Sequence, residues 1–193
     1  DNSPRAIIFD LGLSSFQISD VKRGFSFNSE GPLNMEMGIN NESVFDVVNK
    51  FSKEGLSKVI KTLGEEKDAR KIANEIVKYR SKKTINKSSE LVLIIKKAKK
   101  NYKKYNKNPA TKTFQALRIF VNKELTELIR GLDSASKLLK ENGILIVVNF
   151  HSLEDRIVKN FLNFYFDLNK NPSRYLPIKE SKPGLFKFIS KKH

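Results

Sequence analysis

The chain has no cysteine among its 193 residues. It therefore has no disulfide, no thiolate ligand for a metal and no cysteine nucleophile, and this composition is compatible with a reducing compartment. It also lacks any apolar run approaching the roughly 20 residues that a membrane-spanning helix needs. We therefore expect a soluble cytoplasmic protein that contacts no membrane. We also assign it no metal.

Negative charge is scarce in this sequence. There are 37 Lys and Arg residues against 21 Asp and Glu, which gives a formal net charge of +16 at pH 7. Because lysines gain affinity by displacing counterions from phosphates, the surplus predicts a polyanionic partner. The chain is also rich in Asn and Ile, and AT-rich codons encode Lys, Asn and Ile. Such compositional bias explains part of the charge, so the surplus by itself does not establish a nucleic-acid partner.

Two apolar runs predict interior strands. They are R-A-I-I-F-D-L-G at 5–12 and I-L-I-V-V-N-F at 144–150. Neither alternates with polar residues, which is typical of a strand buried on both faces in a parallel sheet. A third strand is predicted at 184–191, where the sequence alternates. Helical segments separate the three strands, so we expect an α/β fold with parallel connections.

Helical periodicity accounts for most of the remaining sequence. Residues 43–105 show successive amphipathic segments, which predict a small helical subdomain inserted after the first strand. Residues 111–140 predict one long amphipathic helix or two short ones, and residues 153–166 predict another. Residues 13–42 are expected to form a long polar loop. Five apolar side chains are expected to anchor that loop to a core: Phe25, Phe27, Leu33, Met35 and Met37.

A lysine-rich stretch covers residues 96–107. Its seven lysines and two tyrosines suit contacts with phosphates and stacking on bases. The same composition is also typical of a solvated linker between subdomains, and the sequence leaves both interpretations open.

Polar residues follow the first two predicted strands, and ligands bind beyond the carboxyl ends of strands in open parallel sheets. The first group contains Asp10, Gly12, Ser14, Ser15 and Gln17, and the second contains Asn149, His151 and Ser152. Structural roles are also open, because Asp10 could satisfy loop amides and His151 could be structural. Ser152 and Asp155 have the spacing of a helix capping box. These residues predict a ligand cleft without specifying a reaction.

Four segments together resemble one family. They are D-L-G-L-S-S-F-Q at 10–17, R-G-F-S-F-N-S-E-G-P-L-N-M-E-M at 23–37, N-P-A-T-K-T-F-Q-A-L-R-I-F-V-N-K-E-L at 108–125 and F-H-S-L-E-D-R-I-V-K at 150–159. A weaker fifth is G-E-E-K-D-A-R-K-I-A at 64–73. In content, order and approximate spacing, the chain resembles the MraW/RsmH ribosomal RNA cytosine-N4 methyltransferases.

The resemblance implies a fold and an activity. The fold would be a Rossmann-like methyltransferase domain that binds S-adenosyl-L-methionine, of which residues 1–42 and 107–193 form a part with an incomplete sheet. The helical subdomain at 43–106 would be inserted into it and would face RNA. The first strand seen here would be the fourth of the family's sheet. The activity would be methylation of the N4 amine of a cytidine in the decoding region of 16S ribosomal RNA, within the small ribosomal subunit.

The resemblance also suggests site residues. Asp10 and Gln17 match family positions that contact S-adenosyl-L-methionine. Candidate acceptors for the N–H groups of the cytosine amine are Ser14 and Ser15, followed by Asn34 and His151. Candidate RNA contacts are Lys22, Arg23, Lys99, Lys100, Lys103, Lys112, Arg118 and Arg156. For the arginines in helices, an internal ion pair is the alternative.

The sequence departs from the family pattern both at its ends and within the motifs. The glycine-rich cofactor loop and the family's final strand are absent from these residues, so we expect a chain truncated at both ends. Asn34 stands where aspartate is usual, and Asn108 where histidine is frequent. The alternative function is therefore a non-catalytic RNA-binding fragment that lacks the cofactor loop. The sequence does not indicate an oligomeric state.

Overall fold

A computed structural model describes residues 3–27, 30–38, 42–99, 108–166 and 186. The elements in chain order are β1 (Ala6–Asp10), α1 (Ser15–Ser19), a 3-10 turn (Val21–Arg23), α2 (Val44–Lys50), α3 (Lys53–Gly64), α4 (Ala69–Arg80), α5 (Ser88–Ala98), α6 (Thr111–Asn122), α7 (Glu124–Leu138), β2 (Ile144–Val148) and α8 (Ser152–Phe166). The chain divides into two compact units. We call Asp1–Gly12 with Leu125–His193 the sheet unit, and Leu13–Glu124 the helical unit.

The sheet unit contains a parallel pair of strands. β1 pairs with β2 in a register that sets Ala6 opposite Ile144 and Asp10 opposite Val148. This confirms both predicted strands and their parallel direction, and it gives the chain an α/β fold with a small parallel sheet. The strand predicted at 184–191 lies outside the described residues except for Phe186.

The two faces of this sheet differ. On one face Phe9 and the side chains of β2 that share its direction pack with residues of α7 and α8, including Leu128, Leu132 and Val158. The other face carries Ile8, Ile144, Ile146 and Val148, which are 65%, 46%, 43% and 42% exposed. The prediction of strands buried on both faces therefore holds for one face only. Among the described residues, no layer covers the second.

Four helices of the helical unit, α2 to α5, confirm the helical pattern predicted for residues 43–105, up to Lys99. Its core combines these helices with α6, and α3 approaches α6 closely. A Cβ added at Gly64 would lie 2.4 Å from the carbonyl oxygen of Lys112. The amphipathic stretch predicted at 111–140 is two helices, because Lys123 adopts a left-handed φ of 52° between α6 and α7.

The predicted loop at 13–42 is anchored as expected. Phe25, Leu33 and Met35 are buried in the helical unit, and Phe27 and Met37 pack partly buried against the same core. The loop has more regular structure than expected, since it includes α1 and the 3-10 turn. Local side-chain caps explain this, because Ser14 and Asp20 accept hydrogen bonds from backbone amides two or three residues ahead.

Candidate functional site

The first part of the candidate site, in the sheet unit, is the turn after β1. Asp10 is exposed, and its carboxylate has no hydrogen-bond or ion-pair partner in the described part of the chain. The Leu11 amide still donates to the Val148 carbonyl oxygen at 3.1 Å, so pairing with β2 continues past Asp10. Gly12 then turns the backbone with a φ of +95°, a conformation that favours glycine. A Cβ at Gly12 would lie 3.3 Å from the ring of Phe150, so the two strand ends are in contact.

His151, at the end of β2, begins α8. Its Nδ1 accepts a hydrogen bond from the Glu154 amide at 3.3 Å. In return, the Glu154 carboxylate accepts hydrogen bonds from the amides of Phe150 at 2.9 Å and His151 at 3.3 Å. This reciprocal arrangement is a capping box with histidine as the N-cap residue. The capping pair predicted from sequence, Ser152 with Asp155, is therefore wrong by one residue, and Asp155 bonds Lys159 instead.

The ionisation of Glu154 follows from this geometry. Burial raises the pKa of the carboxyl, but the His151 side chain and the donating backbone amides outweigh burial and hold the pKa below its usual value. His151 Nε2 lies 3.2 Å from Glu154 Oε1, and the ring is only 11% exposed. Within the described residues Nε2 has no aligned hydrogen-bond acceptor. The imidazole is thus held in place by a carboxylate that stays ionised.

The serines of the D-L-G-L-S-S-F-Q segment belong to the helical unit and differ from one another. Ser14 Oγ accepts a hydrogen bond from the Gln17 amide at 3.2 Å, and Gln17 Oε1 accepts one from the Ser14 amide at 3.0 Å. Ser14 is therefore the N-cap of α1, and Gln17 completes the capping box. Ser15 is exposed, and its hydroxyl has no partner among the residues described. The side-chain nitrogen of Gln17, Nε2, makes no hydrogen bond within the described residues, so it remains available to donate.

Asn34 is presented by a rigid segment of the helical unit. Its neighbours Leu33 and Met35 are 0% and 1% exposed, and its own carbonyl oxygen accepts a hydrogen bond from the Val44 amide at 3.0 Å. Asn122 of α6 clamps the segment: its Oδ1 accepts from the Met37 amide at 2.7 Å, and its Nδ2 donates to the Met35 carbonyl oxygen at 2.8 Å. The Asn34 side chain makes no hydrogen bond within the described residues. The backbone of Asn34 is therefore fixed, whereas its side-chain amide is available to a ligand.

Gly24 packs closely against the segment that carries Asn34. Its φ is +71°, and an added Cβ would lie 2.1 Å from the Pro32 carbonyl oxygen, so no larger residue fits without moving the backbone. The buried Ser88 hydroxyl donates to the Gly24 carbonyl oxygen at 2.8 Å. Ser88 is the first residue of α5, so this hydrogen bond ties that helix to the loop.

Two of the predicted RNA contacts are occupied internally. Lys99 Nζ lies 2.6 Å from Glu66 Oε2, and the two side chains are 12% and 4% exposed. Arg118 makes two hydrogen bonds to the Glu124 carboxylate, from Nε at 2.8 Å and Nη2 at 2.9 Å. For Arg118 the structure shows the internal ion pair that the sequence left open.

The other predicted RNA contacts are more accessible. Lys22 and Arg156 are exposed, and Arg23 lies 3.5 Å from Asp20 in a surface ion pair. Lys112 is exposed and donates to the Glu65 carbonyl oxygen at 3.0 Å. Lys100 and Lys103 lie outside the described residues. An RNA-binding role for any of these cations stays a prediction.

The predicted site residues are divided between the two units. Asp10 and His151 follow paired strands in the sheet unit, whereas Ser14, Ser15, Gln17 and Asn34 belong to the helical unit. Sequence reasoning missed Asn122 and Glu154, which position Asn34 and His151. Both lie in segments that carry the family resemblance. Glu154 is also the third residue of α8, a position where acidic side chains commonly accept backbone amides.

Paired parallel strands with polar groups beyond their carboxyl ends define a class of α/β ligand-binding proteins, and comparison with known proteins narrows that class to methylases. A model of the MraW methylase family matches residues 2–193. The chain belongs to the MraW methylase family.

Three relatives share the name ribosomal RNA small subunit methyltransferase H. The protein of Hyphomonas neptunium is 44% identical over 178 residues, which are 92% of this chain and 52% of that protein. That of Ehrlichia canis is 49% identical over 156 residues, 79% of this chain and 52% of its own. That of Caulobacter sp. strain K31 is 42% identical over 193 residues, 100% of this chain and 60% of its own. The chain thus spans little more than half the length of the relatives it matches. In the described residues, no helix has the length and apolarity to cross a membrane.

Proposed function

We propose that this chain serves in transfer of a methyl group from S-adenosyl-L-methionine to the N4 amine of a cytidine in 16S ribosomal RNA, within the decoding region of the small ribosomal subunit. The observation that carries the proposal is the 42–49% identity to proteins named ribosomal RNA small subunit methyltransferase H. The exposed polar groups that follow the paired strand ends support it, because such edges bind ligands in parallel sheets.

The residues present suit part of the proposed cofactor. Asp10 offers an unpartnered carboxylate beside a glycine turn, which suits an ammonium or hydroxyl group. Gln17 keeps its amide nitrogen free to donate to a carboxylate, while its oxygen caps α1. We therefore assign Asp10 and Gln17 to cofactor binding. The sulfonium of S-adenosyl-L-methionine supplies a methyl group that is already activated, so the chain needs to contribute alignment and electrostatics.

The proposed substrate amine is a weak nucleophile, because its lone pair is conjugated with the cytosine ring. Acceptors that hold its N–H groups favour a tetrahedral nitrogen whose lone pair is free. Ser15 suits this role because its hydroxyl is unengaged, and Asn34 because its amide oxygen is free on a fixed segment. Asn34 cannot take a proton, so we expect the proton that N4 loses to go to solvent. Ser14 and His151 are weaker candidates because each caps a helix.

We further propose that β1 and β2 belong to a larger Rossmann-like sheet. The apolar side chains on the exposed face of both strands support this, because parallel sheets are normally covered on both faces. In the same proposal the helices of residues 43–99 form the inserted subdomain that faces RNA.

The test incubates the full chain with small ribosomal subunits from cells that lack this modification and with S-adenosyl-L-methionine carrying a tritiated methyl group. Digestion of the RNA to nucleosides should give radioactive N4-methylcytidine. A matched pair of variants separates the candidate acceptors: Ser15→Ala should reduce the product at unchanged RNA affinity, whereas Ser19→Ala, which alters an exposed hydroxyl bonded to Phe16, should not.

Calorimetric titration with S-adenosyl-L-methionine provides the second measurement. If the chain binds ribosomal RNA but neither binds the cofactor nor forms labelled nucleoside, the methylation proposal is wrong for this chain. The alternative, a non-catalytic RNA-binding module, would then be the better description.

A further inference from the structure

We propose that a depression between α3 and α4 binds phosphodiester groups of the RNA backbone. This inference rests on the proposed function, because it names the surface of the helical unit that holds the ribosomal RNA. The depression has a volume of about 370 Å³, at the small end of the range for ligand sites. Every residue that lines it is charged or carries a side-chain amide: Lys53, Lys67, Asp68, Arg70, Lys71 and Asn74.

The charge in this depression is strongly unbalanced. Four cations line it against one carboxylate, that of Asp68, and Lys71 already occupies that carboxylate at 2.8 Å. Lys53 lies 3.8 Å from Glu54, an exposed neighbour outside the lining. Lys67 and Arg70 have no hydrogen-bond or ion-pair partner in the part of the chain that the structure describes. The site thus holds two free cations where an anion could enter.

An internal partner explains Lys71, which is paired with Asp68 at the N-cap of α4, but none explains Arg70. Arg70 lies in the first turn of α4, which contains no acidic residue. The amino-terminal end of a helix carries partial positive charge, so cations there are unfavourable for the helix itself. Two other cations of the same unit, Lys99 and Arg118, are paired internally, with Glu66 and Glu124. The arrangement at α4 is therefore better explained by an external anion.

The geometry fits a polyanion that passes over the surface better than a small enclosed anion. Lys67 and Arg70 are exposed, and the Lys71 side chain is 72% exposed. A site built for a small free anion would bury its donors and fix them with further hydrogen bonds. Open cations beside the amide of Asn74 instead suit successive phosphates of a strand, whose counterions the lysines and arginine would displace.

The test compares two double variants of the full chain that carry the same change in charge. The first, Lys67→Gln with Arg70→Gln, removes the free cations of the depression. The matched control, Lys58→Gln with Lys61→Gln, removes two exposed and equally unpartnered lysines of α3 that do not line it. Binding to a fluorescein-labelled single-stranded RNA oligonucleotide is measured by anisotropy over a series of KCl concentrations.

We expect the slope of log K against log salt to become shallower by about 0.7 for each phosphate contact that the first variant loses. The control should change the slope much less. Both variants should melt at the temperature of the unchanged chain, since the substituted side chains are exposed. If either variant fails to fold, Lys53→Gln with Lys71→Gln tests the same depression with other residues.

Several outcomes would overturn the inference. An unchanged slope in the first variant, or an equal loss in the control, would assign RNA binding to diffuse charge. The depression would instead be assigned to a free anion if the unchanged chain binds inorganic phosphate saturably and only the first variant loses this binding while it still binds RNA. Failure of the unchanged chain to bind RNA even at low salt would contradict the proposed function as well, so the two failures are distinguishable.

Discussion

The helical unit and the sheet unit bury their apolar residues to different extents. In the helical unit large side chains such as Leu33, Ile72 and Leu117 are fully buried, and the side chain of Asn122 is hydrogen-bonded to the loop. In the sheet unit β1 and β2 are equally apolar in sequence, but only one of their faces is covered. The described residues thus form a fully buried core in the helical unit, whereas in the sheet unit they cover one face of the strand pair only. Apolar composition alone therefore does not determine burial, because a covering layer must also be present.

The largest effect is expected from the buried ion pair of the helical unit. Glu66→Gln leaves Lys99 buried without a counter-charge, which should lower the free energy of unfolding by about 3–5 kcal/mol. Glu127→Gln is the matched control, because it breaks an exposed pair with Arg130 and should change little. Urea denaturation measures both. Similar effects in the two variants would show that the burial of the Lys99–Glu66 pair is unimportant.

The comparison between the units is tested directly by one truncation in each. Ile72→Ala should cost about 2–5 kcal/mol, because Ile72 is completely buried in the helical unit and the change leaves a cavity. Ile146→Ala, on the exposed face of β2, should cost only about 1 kcal/mol, because the side chain is 43% exposed. Thermal and urea unfolding would measure the two changes. A large cost at Ile146 would mean that this face is covered in solution.

A smaller effect is expected at the clamp on the candidate site. Asn122→Ala leaves the Met37 amide and the Met35 carbonyl oxygen without their partner, at a cost of about 1–3 kcal/mol. Hydrogen exchange at the Met37 amide should accelerate. Asn160→Ala, an exposed change on α8, should leave this exchange rate unaltered. Protection of Met37 that survives in the Asn122 variant would show that the clamp does not hold the segment.

The smallest effect concerns acid stability in the sheet unit. Because the folded pKa of Glu154 is lowered, its stabilisation is present above the unfolded pKa of about 4.3 and is lost as pH falls through the folded value. Glu154→Gln should cost about 1 kcal/mol at neutral pH, as for other helix caps, and should flatten the acid limb of melting temperature against pH. Glu141→Gln, at an exposed position, serves as the control. An acid limb that is unchanged in the Glu154 variant would contradict the role of this carboxylate.

Sequence periodicity predicted the helices, because these depend on the local spacing of apolar residues. The two continuous apolar runs predicted the strands, and the helical segments between them predicted their parallel direction. It also predicted that Leu33 and Met35 anchor the loop. It could not predict the exposed face of β1 and β2, since exposure depends on residues elsewhere in the fold. At the candidate site, residue type and position pointed to Asp10, Ser15 and His151. The pairing of Glu154 with His151 came only from the three-dimensional contacts, because the sequence left the start of α8 uncertain by one residue. The pairing of Glu66 with Lys99 has no sequence signature, because 33 residues separate the two.

Glu66 and Lys67 are neighbours with opposite environments. The side chain of Glu66 is buried and bonded to Lys99, whereas Lys67 is exposed. The inner residue therefore orders the backbone that carries the outer one before any ligand arrives. Ordering a residue on binding costs about 1–2 kcal/mol of conformational entropy. A partner that contacts Lys67 would largely avoid this cost, so the rigidity of this turn would favour binding even with few contacts.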